Sequence, residues 1–330
     1  MGNKIRKMMR KKIRDTNIKI EYSFVKVLTG SDLSSRRLPI MSVKSINSGP
    51  TIWLTAGVHG EEVGGMVVIQ EIFKKLKNNL LRGEVYALPL ADPIGFETSS
   101  RVIVQSEEDL NRSFPGDKDG SLAERMADRI FTTITKTNPD LVLDLHNDWR
   151  KSIPYVVLDN VGQSKEIYNK NNFFAHKTGF PVILDTDDVE KTLTESLVKH
   201  NIPAFVMELG ESFVVNEKNV GYGVNAIWNV LSYLGMVNPV ECLSGYNLNE
   251  SVKGKILKYS SNPVSHSSGV IRFLVKPGDI IEKGTPVAKV YNAFGKLLEV
   301  LRVQEKAIVL GYSDYSVAFP GAHVVSFGVI

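Results

Sequence analysis

The chain has a single cysteine, Cys242, among its 330 residues. That excludes an internal disulfide and any zinc site built from several thiolates. A lone cysteine in a chain of this length reads as a small core residue rather than a catalytic thiol. No uninterrupted apolar run approaches the ~20 residues of a membrane span. There is no Gly-x-Ser-x-Gly elbow, no Walker A loop and no Gly-x-Gly-x-x-Gly fingerprint. Serine-hydrolase chemistry and nucleotide cofactors are therefore not implied. Internal repeats and low-complexity tracts are also missing, which argues against a solenoid.

What is present suits a globular protein, with 43% hydrophobic and 23% charged residues. The length allows a substantial core and two domains. The net charge of +4 is unevenly spread. Seven Lys and Arg residues fall within positions 1–14 before the first acid, Asp15, so positions 15–330 carry −3. Residues 1–14 read as a basic, solvated arm. Their alternative use, a nucleic-acid contact, predicts binding that weakens steeply with salt. Nucleic acid is not the expected partner. The arm lacks the apolar stretch of a secretory signal, and the expected location is cytoplasmic.

Patterning predicts strands at 18–28, 40–46, 51–56, 83–90, 141–145, 153–158 and 203–207. Helices are predicted at 63–76, 121–134, 164–178, 192–200 and 217–234. Ser121 with Glu124 three residues on has the form of a capping box. This alternation indicates an α/β fold with a largely parallel sheet flanked by helices. Residues 91–120 lack periodicity, and a loop of that length inside a compact domain is usually functional. After Pro239 the character changes to short β runs separated by Gly-containing turns. The expected organisation is an arm at 1–14, a catalytic domain at 15–239 and an all-β domain at 240–330.

Three apolar runs each end in a residue suited to metal chemistry. Residues 51–56 lead into Gly57-Val58-His59-Gly60-Glu61-Glu62, 141–145 into His146, and 204–207 into Glu208. In open α/β sheets, ligands bind at the carboxyl ends of strands. His59 and Glu62, two ligands from one segment, and His146 from far along the chain, fit a catalytic zinc site with one position open for water. A buried histidine bonded to backbone, or a glutamate favoured at a helix start, accounts for each residue alone. The shared strand-end placement favours the set. Glu208 at the end of an apolar strand needs a partner if buried, and suits a general base and acid. Its alternative is a salt bridge to a loop arginine. Arg101, Asn111 and Arg112 lie in the long loop, where a guanidinium can stabilise an oxyanion or clamp a carboxylate.

Four strings taken in order carry a specific resemblance: Gly57-Val58-His59-Gly60-Glu61-Glu62; Asp109-Leu110-Asn111-Arg112-Ser113-Phe114-Pro115-Gly116; Asp144-Leu145-His146; and Glu208-Leu209-Gly210. Over residues 45–235 the chain resembles the succinylglutamate desuccinylase/aspartoacylase family, a branch of the zinc carboxypeptidase superfamily. The resemblance implies a carboxypeptidase-like mixed sheet and a C-terminal domain similar to a biotinyl/lipoyl-type half-barrel. It implies one zinc ion per chain on His59, Glu62 and His146, with Glu208 as base and then acid. It further implies that Arg101 polarises the scissile carbonyl, that Asn111 and Arg112 hold the polar end of the substrate, and that Asp109 orients His59. Two departures stand out. Asn147-Asp148 follows His146 where the family more often has small or hydroxyl residues. An additional substrate arginine has only Arg150 and Lys151 as candidates.

The expected function is zinc-dependent hydrolysis of an amide in a small N-acyl amino acid or N-acyl amine, N-acetyl diamino acids included. The alternatives are a metallocarboxypeptidase, which predicts an open groove without a lid from 250–330, and a non-catalytic binding protein on the same fold. A homo-oligomer is left open.

Overall fold

The computed structural model describes residues 17–30, 33–159, 164–186, 189–239, 245–313 and 315–330; the basic arm 1–14 and Cys242 lie outside them. Through residue 239 the strands are β1 (Ile18–Thr29), β2 (Ser35–Ser45), β3 (Thr51–Ala56), β4 (Glu84–Leu88), β5 (Leu141–His146), β6 (Lys151–Ser152), β7 (Pro154–Leu158), β8 (Val182–Leu184) and β9 (Ala204–Leu209). The helices are α1 (Gly64–Asn79), α2 (Pro93–Thr98), α3 (Leu122–Thr135), α4 (Lys165–Lys177), α5 (Leu193–Lys199) and α6 (Glu217–Tyr233). Eight strands follow: β10 (Ile256–Ser260), β11 (Gly269–Phe273), β12 (Ile280–Ile281), β13 (Pro286–Tyr291), β14 (Leu297–Arg302), β15 (Ala307–Tyr312), β16 (Val317–Ala318) and β17 (Val325–Val329).

The central strands β4, β3, β5 and β9 run parallel, side by side in that order. Their nearly unbroken apolar sequence follows from burial on both faces. Ile52, Leu54, Leu143, Leu145, Phe205 and Met207 pack on one face against the stripe Val68, Ile69, Ile72, Phe73 and Leu76 of α1, and against α6. On the other face Trp53 and Val142 pack with Ala127, Ile130 and Ile134 of α3. Each such side chain withdrawn from water contributes about 1.5–3 kcal/mol before conformational entropy is subtracted. The expected capping box forms: Ser121 Oγ accepts from Glu124 N–H, and Glu124 accepts from Ser121 N–H.

The hairpin β1–β2 extends the sheet antiparallel at one side, and β7 adds antiparallel to β9 at the other. Beyond β7, the sheet continues through β8 into β10, β17, β15 and β12, strands from the C-terminal region. The mixed, largely parallel character of the central sheet is as expected, and all the described elements after residue 240 are strands. The remaining strands form a four-stranded sheet in the order β14-β13-β11-β16. Its apolar face, with Ile271, Val287, Val290 and Leu301, shares a core with Val309 of β15 and Phe327 of β17. Among the described residues no helix is long and apolar enough to cross a membrane.

Candidate active site

The parallel register sets the site. His146 is the last residue of β5 and pairs directly with Glu208 of β9, while β3, on the other side of β5, feeds the turn carrying His59 and Glu62. That turn is tightly seated. Gly60 donates its N–H to Ser100 O at 2.9 Å, and a Cβ on Gly60 would lie 1.9 Å from the carbonyl carbon of Gly95. Only glycine allows the His59 turn to lie against the segment that leads to Arg101.

His59, Glu62 and His146 are all buried, and their ligand atoms lie within 4.8 Å of one another. Glu62 stands between the imidazoles, Oε1 at 2.6 Å from His59 Nδ1 and Oε2 at 2.8 Å from His146 Nδ1. The outer nitrogens face carboxylates as well: His59 Nε2 is 3.1 Å from Asp109 Oδ1, and His146 Nε2 is 2.8 Å from Asp144 Oδ2. If each Nε2 carries the proton donated to its aspartate, each Nδ1 turns a lone pair toward a Glu62 oxygen. Such an arrangement needs positive charge between the atoms, from protons or a metal cation. Burial alone would lower the His146 pKa, but Asp144 and Glu62 hold it well above the ordinary value. The donor set therefore fits a divalent cation, with the imidazoles oriented by outer carboxylates in the usual way.

Asp144 has no assigned role in the sequence reading, yet it had a signal there. In a strand, residues two apart share a face, so Asp144 and His146 point the same way. Thr55 Oγ1 donates to Asp144 Oδ1 at 2.6 Å, anchoring that carboxylate from β3.

Glu208 lines the same cavity, and its Oε2 is buried with no hydrogen-bond partner among the described residues. Burial pushes its carboxyl well above the usual range, and the negative charge of Asp148 adds to the effect. Arg101 reaches the trio from the long loop. Its guanidinium is 3.1 Å from Asp109 Oδ2, 3.5 Å from His59 Nδ1 and 3.9 Å from Glu62 Oε1. Asn111 and Arg112 also line the cavity. Asn111 Oδ1 accepts from Leu193 N–H at the start of α5, and Arg112 donates to Asn111 O. His59, Glu62, His146, Glu208, Arg101, Asn111 and Arg112 thus line one cavity, with Asp109 against His59 and Arg101. Arg150 and Lys151 are absent from the lining: Arg150 lies 4.4 Å from the Phe213 ring centroid, and Lys151 pairs with Glu211 at 2.8 Å.

The cavity has a volume of about 470 Å³ and runs down the face of β7 and β9, past Val157 and Val206, to Asp159 and Asp185. Burial raises the Asp159 pKa to about 7; nearby Asp185 and Glu195 push the same way, against a hydrogen bond from Thr194. The folded protein thus holds a proton on Asp159 that the unfolded chain releases near 3.8. Stability from this group is complete below that value and is lost as pH rises to about 7. Asp159→Asn should therefore be more stable than the parent at pH 8, by on the order of a few kcal/mol, with the gain shrinking towards pH 4. Urea midpoints of both proteins at the two pH values test this, and an equal difference at both would contradict it.

Residues 48–234 match the family model described as the succinylglutamate desuccinylase/aspartoacylase catalytic domain. An N-alpha-acetyl-L-2,4-diaminobutyric acid deacetylase from Halomonas elongata is 28% identical over 287 residues, 83% of this chain and 80% of the relative. The product-bound ectoine utilization protein EutE from Ruegeria pomeroyi shares the fold with a TM-score of 0.80 at 20% identity, covering 95% of each chain. A metallo-carboxypeptidase from Burkholderia cenocepacia superposes with a TM-score of 0.53 at 14% identity, covering 65% of this chain and 64% of its own. Since the family match spans more than half of its length, the chain belongs to the succinylglutamate desuccinylase/aspartoacylase family.

Proposed function

We propose that the chain is a zinc-dependent deacylase that cleaves the amide of a small N-acyl amino acid or N-acyl amine, with substrates that include amino acids bearing a second amine. The supporting observation is the pairing of Glu208 with His146 at the edge of the trio His59, Glu62 and His146, inside one cavity. The trio would hold the ion through Nδ1 of each histidine and the Glu62 carboxylate. Zinc, when bound, supplies a water of lowered pKa and polarisation of the scissile carbonyl.

The chain's own groups supply the rest. Glu208 takes a proton from the attacking water and returns it to the departing nitrogen. The water oxygen bonds to the carbonyl carbon, the carbon–nitrogen bond breaks, and a carboxylate and a free amine result. Arg101 meets the carbonyl oxygen as charge develops on it. Arg112 and Asn111 hold the carboxylate or polar end of the substrate. Asp109 and Asp144 keep the two imidazoles in place.

Two observations support a second amine. Asp148 and Asp185 add negative charge to the cavity wall, and the Halomonas relative is named for an acetylated diamino acid. Tyr259 of β10 also lines the cavity, so the C-terminal strands would act through β10 as a cover restricting entry to small molecules. That placement speaks against the open groove of a carboxypeptidase.

Metal analysis of the purified protein should find about one zinc per chain. Turnover of N-acetyl diamino acids and N-acyl amino acids should vanish on chelation and return with zinc. Release of C-terminal residues from short peptides instead would transfer the chain to the carboxypeptidase reading. Absence of both activities from zinc-loaded protein would favour a binding role.

A further inference from the structure

We infer that Asn147 is a positioning residue that locks Glu62 and the Glu208 strand end into one frame; the inference rests on the reading of this site as a deacylase centre. Asn147 is buried, and its main-chain N–H donates to Glu62 Oε2 at 3.1 Å, the same oxygen that faces His146. Its side-chain Oδ1 accepts from Gly64 N–H at 3.0 Å, two residues beyond Glu62. Gly64 opens α1, and the preceding Val63 makes no side-chain cap. The amide of Asn147 thus does, from the residue just past β5, what a capping side chain ordinarily does from the helix itself.

The other end of the amide reaches the third segment. Nδ2 donates to Gly210 O at 3.2 Å and to Glu211 O at 3.1 Å, immediately past β9. One planar group therefore joins the segments bearing Glu62, His146 and Glu208. Its orientation is fixed by its partners, an N–H on one side and two carbonyls on the other. The fit is close: a Cβ on Gly64 would come within 2.8 Å of the Asn147 amide, and Gly210 holds a φ of +83°. A serine hydroxyl is too short to span both sides. An aspartate would set negative charge against two carbonyl oxygens beside Glu62.

The test compares Asn147→Ala, Asn147→Ser and the parent in three measurements. Hydrogen exchange on the metal-free proteins should show lost protection at 62–66 and 209–213 in Asn147→Ala; unchanged protection overturns the inference whether or not the protein binds zinc. Zinc affinity, by competition with a chromophoric chelator, should fall about 10- to 100-fold, as loss of a group supporting a metal ligand commonly causes. With zinc saturating, kcat should fall while KM stays within about threefold. Leu76→Ala, a core change in α1, serves as the control for lost stability alone. If it weakens zinc binding as much as Asn147→Ala does, Asn147 has no positioning role. Failure of the deacylase reading appears separately, as a parent protein that shows neither zinc binding nor turnover.

Discussion

Glu208→Gln is expected to lower kcat by about a hundredfold or more while leaving zinc content and KM nearly unchanged. The substitution keeps the shape of the side chain, so packing around β9 and its register with β5 should survive. What is lost is the capacity to carry a proton between water and the leaving nitrogen. The surroundings make this group suited to that exchange. Its Oε2 is buried without a hydrogen bond among the described residues, and burial together with Asp148 opposes ionisation. The same surroundings predict that the neutral amide folds at least as stably as the parent, since it carries no charge to desolvate. A large loss of turnover with a maintained melting temperature would therefore separate chemistry from folding. Normal turnover by Glu208→Gln would show that another group is the base.

The residues of this site were legible in the sequence because strand ends are. An apolar run that stops at His146 or reaches Glu208 announces both a buried strand and a polar group at its rim; β5 ends at His146 and β9 one residue past Glu208. The long loop was legible as unusual, but α2 within it was not. A six-residue helix has too few turns to show an apolar stripe, and its start depends on Asp92 accepting from Ile94 and Gly95 N–H. Strand pairing over distance was illegible for a different reason. β10 pairs with β8, yet nothing in the local pattern of either names its neighbour. Asn147 looked like a departure from the family pattern in the sequence. Its significance depends on partners 83 and 63 residues away in the chain.

His146→Ala should abolish measurable zinc binding, and thermal stability should reveal it most directly. A ligand that binds only the folded state raises the melting temperature as its concentration rises. The parent should therefore gain stability with added zinc, and the variant should not. The variant should also start lower. Removing the imidazole leaves the buried Asp144 and Glu62 carboxylates without the group between them, 2.8 Å from each. Breaking a buried charged pair typically costs about 3–5 kcal/mol. Asp144→Asn offers the graded comparison, because the amide can still hydrogen-bond the His146 ring while losing the charge. Its zinc affinity should fall only about 10- to 100-fold, between parent and His146→Ala. Zinc-dependent stabilisation of His146→Ala equal to that of the parent would mean the ion sits elsewhere, and the ordering of the three proteins by zinc affinity decides whether His146 ligates it and Asp144 supports it.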